Sequence, residues 1–88
     1  MTNIEIYTKD YCPFCARAKH LLTTKGVSFT EYDVTHDVEG QQEMIERSQR
    51  RTVPQIFING YHVGGNDDLV AANQSGELDK LLAGQSAA

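Results

Sequence analysis

The sequence predicts an α/β domain: a four-stranded mixed sheet in the order β-α-β, then α-β-β-α, with helices on both faces. Three observations carry this. Short β-branched and aromatic runs alternate with segments of helical period. The first strand, helix and second strand form a β-α-β unit, which implies parallel strands joined by a right-handed crossover. Asn59-Gly60 between two later apolar runs is a strong hairpin signal, because both turn positions want positive φ.

In chain order, "NIEIYT" (Asn3 to Thr8) is β-branched and aromatic and reads as the first strand. "KDYCP" is a loop ending in a proline suited to a first helical turn. A helix is expected from Pro13 to about Lys25, with Cys15, Ala18, Leu21 and Leu22 on one face, and Lys25-Gly26 ends it well. "VSFTEYDV" (Val27 to Val34) alternates as a second strand, with Val27, Phe29 and either Tyr32 or Val34 inward. "THDVEG" is read as a polar connector or as already the start of the next helix, which runs over Gln41 to Arg50 and is anchored by Met44 and Ile45. Gln55 to Ile58 and Tyr61 to Val63 are the hairpin strands. "GGNDDLVAANQSGELDKLL" then turns into one helix or two short ones. Tyr7, Phe29 and Phe57 are expected in the core, and His20 on the helix surface, too far along to serve Cys12 as a base.

The 88 residues suit one domain spanning 1–88, with residues 84–88 expected to fray. The 40% hydrophobic and 23% charged content is a globular balance, and the net charge of −4 argues against nucleic acid as a partner. No apolar run approaches the roughly 18 residues of a membrane span. The first ten residues lack a basic segment followed by an apolar one, so no secretory signal is read there. A monomeric cytoplasmic protein is the expectation, in a compartment where structural disulfides are rare.

The only two cysteines stand in "YCPFC". A purely structural disulfide would close a four-residue loop and constrain the unfolded chain very little. Structural zinc needs about four ligands. The chain adds only His20, His36 and His62, with no H-x3–5-H pair. C-x-x-C beside a β-α-β pattern is instead a redox signature. Cys12 is expected at a helix N-terminus, where free N–H groups and the macrodipole favour a thiolate. Such positions lower thiol pKa values from ~8.5 into the ~3.5–7.5 range. Lys9 adds positive charge. Cys15, one turn on, shares the inward face of Ala18 and Leu22. The asymmetry makes Cys12 the nucleophile and Cys15 the resolving thiol. Pro13 stiffens the turn, and Tyr11 is read as an exposed aromatic on the site's rim.

"YTKDYCPFC", "TVPQIFING" and "GGNDDL", in this order and spacing, resemble a glutaredoxin of the short bacterial dithiol type, over roughly residues 3 to 83. The resemblance implies a thioredoxin-like fold and glutathione as reducing cosubstrate, with no permanently bound cofactor and no metal. It also implies reduction of glutathione mixed disulfides and protein disulfides. Some members of the family supply ribonucleotide reductase, which makes that enzyme a candidate acceptor. By the same resemblance Lys9 meets the glycyl carboxylate of glutathione, assisted by Gln41 or Arg51, and Phe14 forms an aromatic wall. Thr52, Val53 and Pro54 match a segment whose proline is cis and whose extended backbone pairs with the cysteinyl part of the ligand. Gly65, Asn66 and Asp67 match the site for the γ-glutamyl end. There a helix N-terminus receives the α-carboxylate and Asp67 accepts from the α-ammonium. Asp68 is read as a helix cap, and Arg50 as a solvated helix end. In two places the chain departs from many relatives: Phe14 stands where they have Tyr, and Asn66 where several have Cys or Ser.

Two other functions compete. An iron–sulfur cluster carrier would use Cys12 and glutathione as ligands in a dimer, but relatives with that role usually carry one cysteine followed by Gly-Phe-Ser. A thioredoxin-like reductase fed by a flavoenzyme is opposed by the acidic, glycine-rich "GGNDD".

Overall fold

The computed structural model describes residues 2–84. The chain runs β1 (Ile4–Thr8), α1 (Pro13–Thr24), β2 (Thr30–Asp33), α2 (Val38–Ser48), β3 (Gln55–Ile58), β4 (Tyr61–Gly64), α3 (Asn66–Ser75) and α4 (Glu77–Leu82). The sheet order is β2-β1-β3-β4. β1 pairs in parallel with β2, and β3 pairs antiparallel with both β1 and β4. This is the mixed four-stranded sheet of the thioredoxin-like fold, with the expected β-α-β unit and hairpin.

The two central strands bury both faces by alternation. Ile4, Ile6, Ile56 and Ile58 face a core completed by Ala18 and Leu22 of α1, Leu69 and Ala72 of α3, and Leu78 and Leu81 of α4. Tyr7 and Phe57 face a smaller core with Val34, just after β2, and Met44 of α2. Helices therefore cover both faces unequally, three against one.

Several boundaries differ from expectation for identifiable reasons. β2 starts at Thr30 and not at Val27. Val27 and Phe29 still pack against the larger core, from the connection ahead of the strand. Of the Tyr32 and Val34 pair, Val34 is buried and Tyr32 partly exposed. α2 starts at Val38, so the end of "THDVEG" is already helix, because the Asp37 side chain accepts from the Gly40 N–H at 2.9 Å. It stops at Ser48, where Gln49 turns left-handed with φ 60°. The last helical stretch is two helices, broken at Gly76 with φ 85°. Of the tail expected to fray, residues 85–88 lie outside the described residues.

Candidate active site

Cys12 is the N-cap of α1, and Pro13 takes the first helical position, where a missing N–H costs nothing. The Cys15 N–H donates to Cys12 Sγ at 3.1 Å, so a sulfur occupies the place of a capping oxygen. The two cysteines are joined as a disulfide, with Cα atoms 5.2 Å apart. Cys15 is 2% exposed on the stripe with Ala18 and Leu22, whereas Cys12 is half-buried. Once the disulfide is reduced, charge on Cys12 Sγ faces an N–H donor and the positive end of a helix. Tyr11 adopts a left-handed backbone, φ 55°, and its side chain is fully exposed beside Cys12.

Cys12 Sγ lies 3.9 Å from the Val53 carbonyl oxygen. This contact joins α1 to the segment before β3, in which Val53-Pro54 is cis. Thr52, Val53 and Pro54 line one side of a groove of about 210 Å³, and Phe14 lies at its edge. Gly65, Asn66 and Asp67, at the start of α3, line the other side. Seven of the expected binding residues thus meet around one groove. Asn66 Oδ1 is buried and, among the described residues, has no donor.

Lys9 and Tyr11 fall elsewhere. With Cys12 and Cys15 they line a neighbouring open trough, which also includes Lys19 and Glu31. The Glu31 carboxyl is held below its ordinary range by the Thr8 hydroxyl, against the opposing effect of burial, and then by the Lys19 ammonium at 3.0 Å. Gln41 and Arg51 line neither cavity. Gln41 instead donates to the Val34 carbonyl at 2.6 Å, and Arg51 is exposed.

Arg50 and Asp68 also line the groove, a role the sequence reading did not give them. Asp68 accepts from the Gly65 N–H at 2.9 Å, half of a capping box, as its expected cap role requires. Arg50 also donates to it at 2.8 Å, bridging the two walls. Arg50 holds the Asp68 carboxyl below the usual aspartate range, and the Gly65 N–H adds to this. The spacing of Asp68 from Gly65 was a legible capping signal. Nothing local links Arg50 to a residue 18 positions away. On the far side of the Thr52–Pro54 segment, Gln55 is fully buried and donates to the Thr52 carbonyl at 3.0 Å. The visible signal was a polar residue at the head of an otherwise apolar strand.

Known proteins resemble this chain in sequence and fold. A family model described as glutaredoxin matches residues 4–63. Glutaredoxin 3 of Escherichia coli K12 is 56% identical over 82 residues, 93% of this chain and 99% of that protein. A glutaredoxin of Pseudomonas aeruginosa is 46% identical over 93% of this chain and 98% of that protein. Among solved structures, a glutaredoxin from Brucella melitensis superposes with a TM-score of 0.82 at 54% identity, over 93% of this chain and 89% of that one. A buckwheat glutaredoxin–glutathione complex does so with a TM-score of 0.85 at 28% identity, over 93% of this chain and 77% of that one.

Proposed function

Because the chain belongs to the glutaredoxin family of glutathione-dependent thiol–disulfide oxidoreductases, we propose that it reduces glutathione mixed disulfides and protein disulfides with Cys12 as nucleophile. The observation that carries this is the Cys15 N–H donating to Cys12 Sγ at the head of α1. The partner sulfur, Cys15, is buried one turn away.

The Cys12 thiolate attacks the glutathione sulfur of a mixed disulfide. The Cys12–glutathione disulfide forms, the disulfide bond between the glutathione and substrate sulfurs breaks, and the substrate leaves as a thiolate that takes a proton from water. A second glutathione thiolate then attacks the glutathione sulfur. This releases glutathione disulfide and restores the Cys12 thiolate. On a protein disulfide, Cys15 attacks Cys12 in the mixed disulfide instead, leaving the Cys12–Cys15 disulfide and a reduced substrate. Two glutathiones then reduce that disulfide and leave as glutathione disulfide.

In this reading the groove holds glutathione. The Thr52–Pro54 backbone pairs with its cysteinyl part as an added strand would. Gly65, Asn66 and Asp67 take its γ-glutamyl end, where the N–H groups of α3 favour a carboxylate. Lys9 reaches the glycyl carboxylate from the trough beside Cys12, and Phe14 and Tyr11 wall the approach. The glutathione bound in the buckwheat relative supports the ligand assignment. The same reading has residues 1–88 working as one monomeric domain in the cytoplasm, with disulfide-containing proteins, ribonucleotide reductase among the candidates, as acceptors. No helix among the described residues is long and apolar enough to cross a membrane.

The test is turnover of a glutathione mixed disulfide with and without glutathione. Cys12→Ser is expected to abolish it, and Cys15→Ser to retain it while losing reduction of protein disulfides through the dithiol route. Equal activity in the two variants would sink these roles.

A further inference from the structure

Behind the groove, on the α2 side of the sheet, lies a polar chain centred on a buried glutamine that the catalytic reading does not use. Gln55 is 0% exposed. Its Nε2 donates to the Thr52 carbonyl at 3.0 Å and lies 3.3 Å from the Thr52 hydroxyl. Its Oε1 lies 2.7 Å from His62 Nε2. His62 is held in turn by stacking on Phe57, its cross-strand partner, with ring centroids 4.9 Å apart. The Arg47 guanidinium lies 4.0 Å from the Phe57 centroid.

The direction of this chain follows from its end. A carbonyl oxygen can only accept, so Gln55 must present its NH₂ to Thr52 and its oxygen to His62. His62 must then carry a proton on Nε2. The Thr52–Val53 peptide is trans, since the cis bond is the next one. In a trans peptide the C=O and the following N–H point in opposite directions. Holding the Thr52 oxygen inward on Gln55 therefore turns the Val53 N–H outward, to the side of the groove.

We propose that Gln55 and His62 are positioning residues that aim the Val53 N–H at the thiol ligand's backbone, His62 acting by anchoring the Gln55 amide through its oxygen. Without the His62 donor, the Gln55 oxygen loses its partner, the side chain is held at one end only, and the Thr52–Val53 peptide plane is freer to turn. This rests on the groove being the glutathione site. The surroundings favour a neutral ring: burial first, then Arg50 and Arg47, push His62 protonation down against the opposing pull of Asp68. A neutral ring has one N–H, so the tautomer is a definite property of the fold.

The experiment has two arms. The first measures KM and kcat for a glutathione mixed disulfide in the wild type, Gln55→Met, His62→Leu and His62→Gln. Gln55→Met and His62→Leu are expected to raise KM about three- to tenfold, the range of one lost hydrogen bond, with kcat per folded molecule nearly unchanged. His62→Gln, which restores an NH₂ donor, is expected to return KM toward the wild-type value. A merely structural role would lower the folded fraction and hence apparent kcat without moving KM. The second arm reads the His62 tautomer in the unmutated protein by long-range ¹H–¹⁵N NMR at neutral pH, with Nε2 expected to be the protonated nitrogen. Unchanged KM in both disruptive variants, or a proton on Nδ1, would overturn the positioning role. A wild type without glutathione-dependent turnover would instead overturn the catalytic reading, and the tautomer would still decide the direction of the Gln55 amide.

Discussion

Asp68 does two things at once, which makes it a useful residue for separating capping from charge. It accepts from the Gly65 N–H at the start of α3, and from Arg50 across the groove. Its folded pKa is lowered by Arg50 first and by Gly65 second. A lowered pKa means that the unfolded chain binds the proton more tightly. The stabilisation is then fully present above the ordinary aspartate value of about 3.9 and is lost as pH falls through the lower folded value. Asp68→Asn is expected to lower the melting temperature at pH 7, with the gap from wild type closing below about pH 4. Thermal melts of both proteins from pH 7 to pH 3 check this. The effect is modest, because the carboxylate is 45% exposed and solvent screens the Arg50 pair. A gap that persists at low pH would assign the loss to the amide geometry and not to charge.

At the scale of elements, the junction of β4 and α3 builds one wall of the groove within very few residues. Gly64 ends the strand with φ 123°, a backbone that side chains rarely adopt, and a Cβ there would collide with the Asp68 side chain. Gly65 then serves as N-cap, and Asn66 opens the helix. Gly64→Ala is expected to cost about 1–3 kcal/mol from backbone strain and overpacking together. Gly26→Ala has a comparable positive φ of 74° but nothing within 4 Å of the added carbon, so it should cost less, about 1 kcal/mol. Urea denaturation of the two variants gives the comparison. Gly64→Ala should also weaken glutathione binding, since the clash displaces Asp68, which lines the groove and accepts from the Gly65 N–H, whereas Gly26→Ala lies far from the groove in sequence and touches none of its walls. Equal costs would show that the Asp68 contact relaxes without penalty.

Across the whole molecule, the two faces of the sheet differ in kind. The face under α1, α3 and α4 is largely apolar, its cluster holding ten buried residues among those described against four on the α2 side, with Thr8, Glu31 and Lys19 as a polar edge. The α2 side is threaded with polar groups. Arg47 donates to both Glu5 oxygens, at 3.1 and 3.2 Å, and to the Tyr7 hydroxyl at 2.9 Å, while Tyr7 donates to Glu43. Burial first, and the Glu43 bond second, push the Tyr7 phenol up to about 12. Hydrophobic burial scales with apolar area, so α2 is held by less apolar packing than the helices opposite. Native-state hydrogen exchange is expected to show α2 amides opening before those of α1, β1 and β3. Simultaneous exchange of α1 and α2 would mean that the polar network contributes as much as the larger core. A face of directional bonds suits its position behind the Thr52–Pro54 segment, because hydrogen bonds fix orientation where apolar packing fixes only distance.

The order of elements, the mixed sheet, the helix-capping position of Cys12 and the inward face of Cys15 were all legible in the chain before folding. Each of these depends on neighbours within one or two turns of chain, through the period of apolar residues, a proline at N1, or a turn dipeptide. The three motifs likewise named the groove residues, because their spacing is itself the family pattern. Which motif faces which cavity emerged with the folded chain: Lys9 and Tyr11 line the trough with the cysteines, whereas Thr52 to Pro54 and Gly65 to Asp67 line the groove. Only folding brought Arg50 to Asp68, and Gln55 to both Thr52 and His62. Those partners are set by strand pairing and by the crossing of loops at the sheet's end. The direction of a long polar side chain leaves no periodic trace in the sequence, so the polar frame of the site becomes visible only once the chain has folded.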